Sequence, residues 1–221
     1  MGTPYLQLRR DEVPSTQDLA RSELSGLPVV VVSQRQTAGR GRTGSDWVTA
    51  PRALAASAAI HVADGDRRPL SLMAGVAAIR AIGEISLKWP NDLVVGDLKV
   101  GGILVERSAG VVVVGLGVNL WWPAPPDGAG ALEESDPGVE MHGEIGGLWA
   151  AELFQLIDED GWPIDEYRAA CSTLGLEVSW EPDGRATAVD VNQVGELVVE
   201  QGGEMSAISS GAIRHLRSAG P

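Results

Sequence analysis

The chain has 17 basic residues, and only two of them are lysines, Lys88 and Lys99, eleven positions apart. A preference for arginine explains why lysine is scarce, but not why both exceptions fall in one short segment. Lysine offers a compact, mobile ammonium where arginine offers a planar fork, so a site that needs a point charge does not accept arginine freely. Lys99 is therefore a candidate for chemistry. Lys88 opens a second cluster, Lys88-Trp89-Pro90-Asn91-Asp92. Pro90 favours extended backbone and Asn91-Asp92 suit a bend. The same two side chains have oxygen and amide chemistry for Mg²⁺ (Asp92) and for a base or phosphate (Asn91).

The segment Gln36-Thr37-Ala38-Gly39-Arg40-Gly41-Arg42-Thr43-Gly44 matches G-x-G-x-x-G at Gly39, Gly41 and Gly44. A dinucleotide fingerprint needs a strand directly before it and a helix opening on it. Ser45 to Pro51 does not read as a helix, so that assignment is rejected. The glycines still let backbone N–H groups approach an anion, and Arg40 and Arg42 add charge-assisted donors. A solvated surface loop could carry the same glycines, but two arginines flanked by glycine in so acidic a chain favour phosphate. Gly101-Gly102 and Gly115-Leu116-Gly117-Val118-Asn119 place further glycines inside apolar runs. Glycine weakens a strand unless something must come close, so these two runs predict a flat floor for a ligand.

These residues need elements to hold them. Ser15 is expected to cap a short helix to about Leu24, with Asp18 at the third position. Pro28–Ser33 and Ala53–Val62 read as strands, and Leu70–Ile82 as a helix with apolar residues at helical spacing. Strands are expected at Ser86–Trp89, Leu93–Val95, Lys99–Arg107 and Val111–Leu120, joined by tight turns and hence antiparallel. The stretch from Trp122 to Gly143, rich in Pro, Gly and acids, reads as a long mobile loop. Helices are expected at Glu144–Glu159 and Ile164–Cys171. Short strands at Val178–Glu181, Ala186–Val191, Leu197–Glu200 and Ser206–Ile208 suggest a small β-barrel docked on the main domain. The fold class is α+β, a mixed, mainly antiparallel sheet with helices. The division is residues 1–172 and 173–221.

Composition narrows the function. With 30 acidic residues the net charge is −13, and no run of Lys and Arg could serve a nucleic acid. One cysteine, Cys171, excludes an internal disulfide, and His61, His142 and His215 have no metal-ligand spacing. No signal core and no long apolar run is present, so a cytoplasmic protein off the membrane is expected.

Taken in order, Ser15-Thr16, Gln36 with the Gly39–Arg42 loop, Lys88–Asp92, Lys99–Leu104 and Gly115–Asn119 resemble the catalytic domain of the biotin–protein ligase family. Thr173-Leu174-Gly175 and the strands after it are similar to that family's C-terminal SH3-like domain. The resemblance implies a class II synthetase-like fold. It also implies an enzyme that activates biotin with ATP and Mg²⁺ and transfers it to a lysine of a biotin carboxyl carrier domain of an acyl-CoA carboxylase. A homodimer is compatible with it. By the same resemblance, Ser15, Thr16 and Gln36 would bond the biotin head group, with Gly101, Gly102 and Gly115 beside it. Arg40, Gly41 and Arg42 would close over the carboxylate end and the adenylate. Lys99 would contact the reacting carboxylate and α-phosphate, and Lys99 and Arg42 would carry the catalysis. Trp47, Asn91 and Asn119 would meet the nucleotide, and Asp92 the Mg²⁺. The sequence departs from the family at Ser45, where an arginine is usual, with Arg52 as a stand-in. Only fourteen residues precede Ser15, so a DNA-binding repressor role is not expected. Lipoate–protein ligase, which shares the fold and the adenylate chemistry, and a non-catalytic biotin binder are the alternatives.

Overall fold

The computed structural model describes residues 3–44, 47–63, 65–182, 184–209 and 213–215. Its centre is the strand β2 (Val29–Gln36), whose first five residues are all buried. Four consecutive valines followed by a buried serine belong to a strand covered on both faces. Alternate residues serve the two sides. Val29 and Val31 pack with Ala20 of helix α1 (Thr16–Glu23), and Val30 and Val32 join the larger core on the opposite face.

Around β2 lie β1 (Leu6–Val13), β3 (Arg52–His61), β4 (Ser86–Lys88), β5 (Asp92–Val95), β6 (Leu98–Ser108) and β7 (Val111–Trp121). The sheet order is β1-β2-β3-β7-β6-β5-β4. Every neighbouring pair is antiparallel except β1 with β2, which makes the sheet mixed. The run from β4 to β7 pairs as its tight turns predict. Strand β1 is an addition to the sequence reading. It is an edge strand, LQLRRDEV, exposed along much of its length, so no two-residue alternation marks it.

Helices α2 (Leu70–Ile82), α3 (Met141–Asp158) and α4 (Ile164–Ala170) cover the larger core. Helix α3 approaches the sheet at Gly146, where a Cβ would stand 2.9 Å from Val32 Cγ1. It begins three residues earlier than its sequence suggests. Residues 122–140 are not the loose loop expected. Lys99 N donates to Gly128 O, Gly130 N to Lys99 O and Leu132 N to Asn119 O, and Arg52 pairs with Asp136 at 2.9 Å. Backbone pairing with β6 and β7 fixes the segment despite its loop-like composition.

The C-terminal strands are β8 (Glu177–Trp180), β9 (Gly184–Val191), β10 (Leu197–Gln201), β11 (Glu204–Ile208) and β12 (Arg214–His215). They form a five-stranded antiparallel sheet, order β11-β10-β9-β8-β12, as an SH3-like unit requires. Strand β12 is too short to read from sequence, and the turn residue Asp183 lies outside the described residues. The two sheets share one core, since Val178, Ala188, Val191 and Leu197 cluster with the residues under α2. The connector joins them directly. Ser172 N donates to Leu87 O at 2.8 Å, and the Trp89 indole N–H donates to Gly195 O at 3.0 Å. Among the described residues no helix is long and apolar enough to cross a membrane.

Candidate active site

A cavity of about 280 Å³ opens between α1, the Gly39–Arg42 segment, and the central strands β3, β5, β6 and β7. At one end, side chains of α1, β2 and β3 form a hydrogen-bonded chain. Ser57 Oγ donates to Thr16 Oγ1 at 2.8 Å, and Thr16 Oγ1 donates to Gln36 Oε1 at 3.0 Å. Thr16 N donates to the same Gln36 Oε1 at 2.8 Å. A backbone N–H can only donate, so the Gln36 amide has one orientation here and its NH₂ is left for other partners. Ser15 caps α1 by accepting from Asp18 N at 3.3 Å, which leaves its own O–H as a donor.

Gln17, which no sequence motif marks, completes this end. Its Nε2 donates to Leu104 O at 3.3 Å, which turns Oε1 inward, buried and without a partner. Gly115 makes room for it: a Cβ there would stand 3.1 Å from Gln17 Oε1. An orphaned buried acceptor costs about 1–3 kcal/mol, so this one is suited to a ligand that brings a donor.

The other end is charged. Lys88, Lys99 and Arg42 line it with Asp92, and Lys99 Nζ lies 2.6 Å from Asp92 Oδ1. Arg42, which opens a 3₁₀ turn, donates from Nη1 to Asn91 Oδ1 at 3.0 Å. Asn91 is held in turn by its Nδ2 donating to Ile103 O at 2.8 Å. The peptide bond between Trp89 and Pro90 is cis, and residues 89–91 form the turn between β4 and β5. Trp47 lies across the middle. A Cβ on Gly117 would stand 2.8 Å from its ring, and one on Gly102 would stand 3.6 Å away. The glycine floor expected from the sequence exists, but an indole of the chain itself covers part of it. Apolar Ile103, Leu104, Leu116 and Ile213 complete the wall, the last from the C-terminal unit.

This is a polar head, a narrow apolar middle and a cationic end, and comparison with known proteins gives the arrangement a family. Residues 10–120 match the biotin/lipoate A/B protein ligase family. The chain belongs to that family.

Within the family, it is 31% identical to a biotin–[acetyl-CoA-carboxylase] ligase of Mycobacterium tuberculosis, over 86% of this chain and 79% of the relative. It is also 31% identical to the ligase of that name from Paracoccus denitrificans, over 78% of this chain and 75% of the relative. Its fold is that of a biotin protein ligase from Aquifex aeolicus solved with biotin and ATP. That match has a TM-score of 0.80 and 24% identity, and covers 96% of this chain and 99% of the other.

Of the residues singled out in the sequence of this ligase-family chain, Ser15, Thr16, Gln36, Arg40, Gly41, Arg42, Trp47, Asn91, Asp92, Lys99, Gly102 and Gly115 all line the one cavity. Two do not. Gly101 serves the sheet: a Cβ there would stand 2.6 Å from Gly117 O, so the glycine permits strand approach rather than ligand approach. Asn119 is buried outside the cavity lining, with Nδ2 donating to Gly130 O at 2.9 Å and Oδ1 unpartnered. Arg40 departs from expectation in another way, since its guanidinium is turned onto Asp18 and Glu106. Arg52 pairs with Asp136 rather than lining the cavity, and Ser45 lies outside the described residues.

Proposed function

We propose that this chain condenses biotin with ATP to biotinyl-5′-AMP and pyrophosphate, and then passes the biotinyl group to the ε-amine of a lysine on a biotin carboxyl carrier domain. The observation that carries the reading is the polar head of the cavity. A cyclic urea presents one carbonyl oxygen between two N–H groups. Ser15 O–H and the Gln36 NH₂ offer donors to that oxygen, and Gln17 Oε1 and Ser57 Oγ offer acceptors to the N–H groups. The dithiolane of lipoate has no N–H and would leave Gln17 Oε1 unsatisfied, at about 1–3 kcal/mol.

The chemistry follows from the charged end. A carboxylate oxygen of biotin attacks the α-phosphorus of ATP, the bond to the bridging oxygen breaks, and pyrophosphate leaves. Two anions must meet, so preorganised cations between them lower the barrier. Lys99 and Arg42 supply that charge, and Asn91 holds Arg42 in place. Among the described residues no three acidic, His or Cys side chains form a ready-made metal site. The single Asp92 carboxylate fits Mg²⁺ that arrives already bound to phosphates, where the ion would neutralise charge. In the second step a neutral acceptor amine attacks the acyl carbon, AMP leaves with the bonding pair, and the amine proton passes to solvent.

The reading assigns catalysis to residues 1–172 and an SH3-like unit to residues 173–221, in a cytoplasmic enzyme whose acceptor belongs to an acyl-CoA carboxylase. The test is competition between biotin and lipoate for labelling of a carrier domain in the presence of Mg·ATP. Selective biotin attachment at the carrier lysine is expected. Preferential lipoate attachment would replace this reading with lipoate ligation.

A further inference from the structure

The geometry points to an ionic latch, outside the reacting centre, that holds the Gly39–Arg42 segment closed over the adenylate. Arg40 makes a two-pronged contact with Asp18: Nη1 to Oδ2 at 2.8 Å and Nη2 to Oδ1 at 2.7 Å. The same Nη2 reaches Glu106 Oε1 at 3.5 Å, and Arg21 of α1 closes the network by pairing with Glu106 Oε2 at 3.5 Å. The four groups come from three elements, α1, the glycine-rich segment and β6. Asp18 and Glu106 are positioning residues, since they act through Arg40.

Two observations of geometry support the assignment. First, both prongs of the Arg40 fork are held by protein carboxylates. Phosphate binding therefore does not explain Arg40. Second, Asp18 N is capped by Ser15, so the residue offering a donor to the head group and the residue gripping the segment sit in one helical turn. An occupied head pocket fixes the anchor of the latch. In keeping with them, the Arg40 guanidinium beside it holds the Asp18 carboxyl below its ordinary range, which keeps the partner ionised.

The latch rests on the adenylate reading, and its purpose within that reading is retention. A mixed anhydride that escapes acylates any free amine, releasing AMP. Exposed pairs are individually weak, but a two-pronged arginine–carboxylate contact inside a network is the arrangement in which they count.

The test is the double variant Asp18→Asn with Glu106→Gln, measured two ways. Limited trypsin digestion of the ligand-free protein reports the latch itself, since cleavage after Arg40 requires its guanidinium to be free. Acylation of a lysine-rich bystander protein in biotin and Mg·ATP reports retention. We expect cleavage after Arg40 and Arg42 to rise about three- to tenfold, with an unchanged thermal midpoint. Bystander acylation should rise in similar proportion, while first-turnover pyrophosphate release stays within about twofold of the parent. The parent's bystander acylation should also rise with salt more steeply than the variant's. Unchanged cleavage overturns the latch whatever the ligand. Faster cleavage with unchanged bystander acylation overturns its role in retention. A parent protein that releases no pyrophosphate overturns the functional reading, and the cleavage rates then decide the latch alone.

Discussion

Lys99 Nζ and Asp92 Oδ1 stand 2.6 Å apart, on neighbouring strands β6 and β5, in the wall of the cavity. The carboxylate fixes the ammonium in a position that a longer, planar guanidinium cannot share. Lys99→Arg, although it conserves charge, is therefore expected to lower adenylate formation on the order of a hundredfold, the usual loss for one misplaced charge-stabilising group. Circular dichroism should remain that of the parent. Single-turnover adenylation near the parent rate would show that any cation at this place suffices.

Gln17 makes a second prediction, on specificity. Gln17→Leu removes the orphaned acceptor beneath Gly115 and leaves the Ser15, Thr16 and Gln36 bonds in place. Biotin affinity by calorimetry should fall about tenfold, the equivalent of one lost hydrogen bond to the ligand. Affinity for dithiolane analogues, which lack the urea, should fall less. An equal loss for both classes would mean that Gln17 only shapes the wall.

Arg42 differs from Arg40 in its partners: it bonds Asn91 in the charged end of the cavity, while the Arg40 guanidinium is turned onto Asp18 and Glu106. Arg42→Gly should weaken retention of the adenylate about tenfold and biotin binding much less, since the charge it offers matches the phosphate end. The check is the dissociation rate of preformed biotinyl-AMP set against the biotin dissociation constant. Equal changes in both would deny Arg42 a role particular to the adenylate.

Thr173 and His215 tie the C-terminal unit to the site. Trp89 N donates to Thr173 Oγ1 at 3.0 Å, and that hydroxyl lies 3.0 Å from His215 Nε2. The hydroxyl can donate to His215 only while Nε2 is unprotonated. Burial first, and Lys88 second, push the imidazole below the usual histidine range, against Asp97 and Asp92. The unfolded state then binds more protons than the folded state below about pH 6.5, so stability falls as pH drops through that window. The lowered Asp18 and Asp66 carboxyls act only below about pH 4, so the effects separate. The thermal midpoint should fall between pH 7.5 and 5.5 in the parent and stay level in His215→Gln. Thr173→Val should cost about 1–3 kcal/mol by orphaning the Trp89 N–H, and Thr173→Ser should not. A parent midpoint flat across that range would remove the pH link.

Most of the site was legible because it is built from residues whose use is restricted: two lysines among arginines, glycines inside strands, a serine at a helix start. What escaped the sequence depends on long-range partners. Arg40 reads like Arg42 until Asp18 and Glu106, 22 and 66 positions away, come beside it. Gln17 looks like any polar residue in a first helical turn until its amide is oriented by Leu104 O. Gly101 and Asn119 carry the same pattern as their neighbours that line the cavity, yet Gly101 packs against Gly117 O and the Asn119 amide is taken by Gly130 O. In the fold, β1 was hidden by its charged, exposed edge, and residues 122–140 by a composition that resembles free loop.

The central claim is that this cavity joins biotin to AMP. The most direct measurement is pyrophosphate release from Mg·ATP by the purified chain, with and without biotin and in the absence of any acceptor. The account predicts a biotin-dependent burst of about one equivalent per site, with slow release afterwards because the anhydride is retained, and steady turnover once a carrier domain is added. Stoichiometric biotin binding without any pyrophosphate would contradict it and leave a binding protein in place of an enzyme.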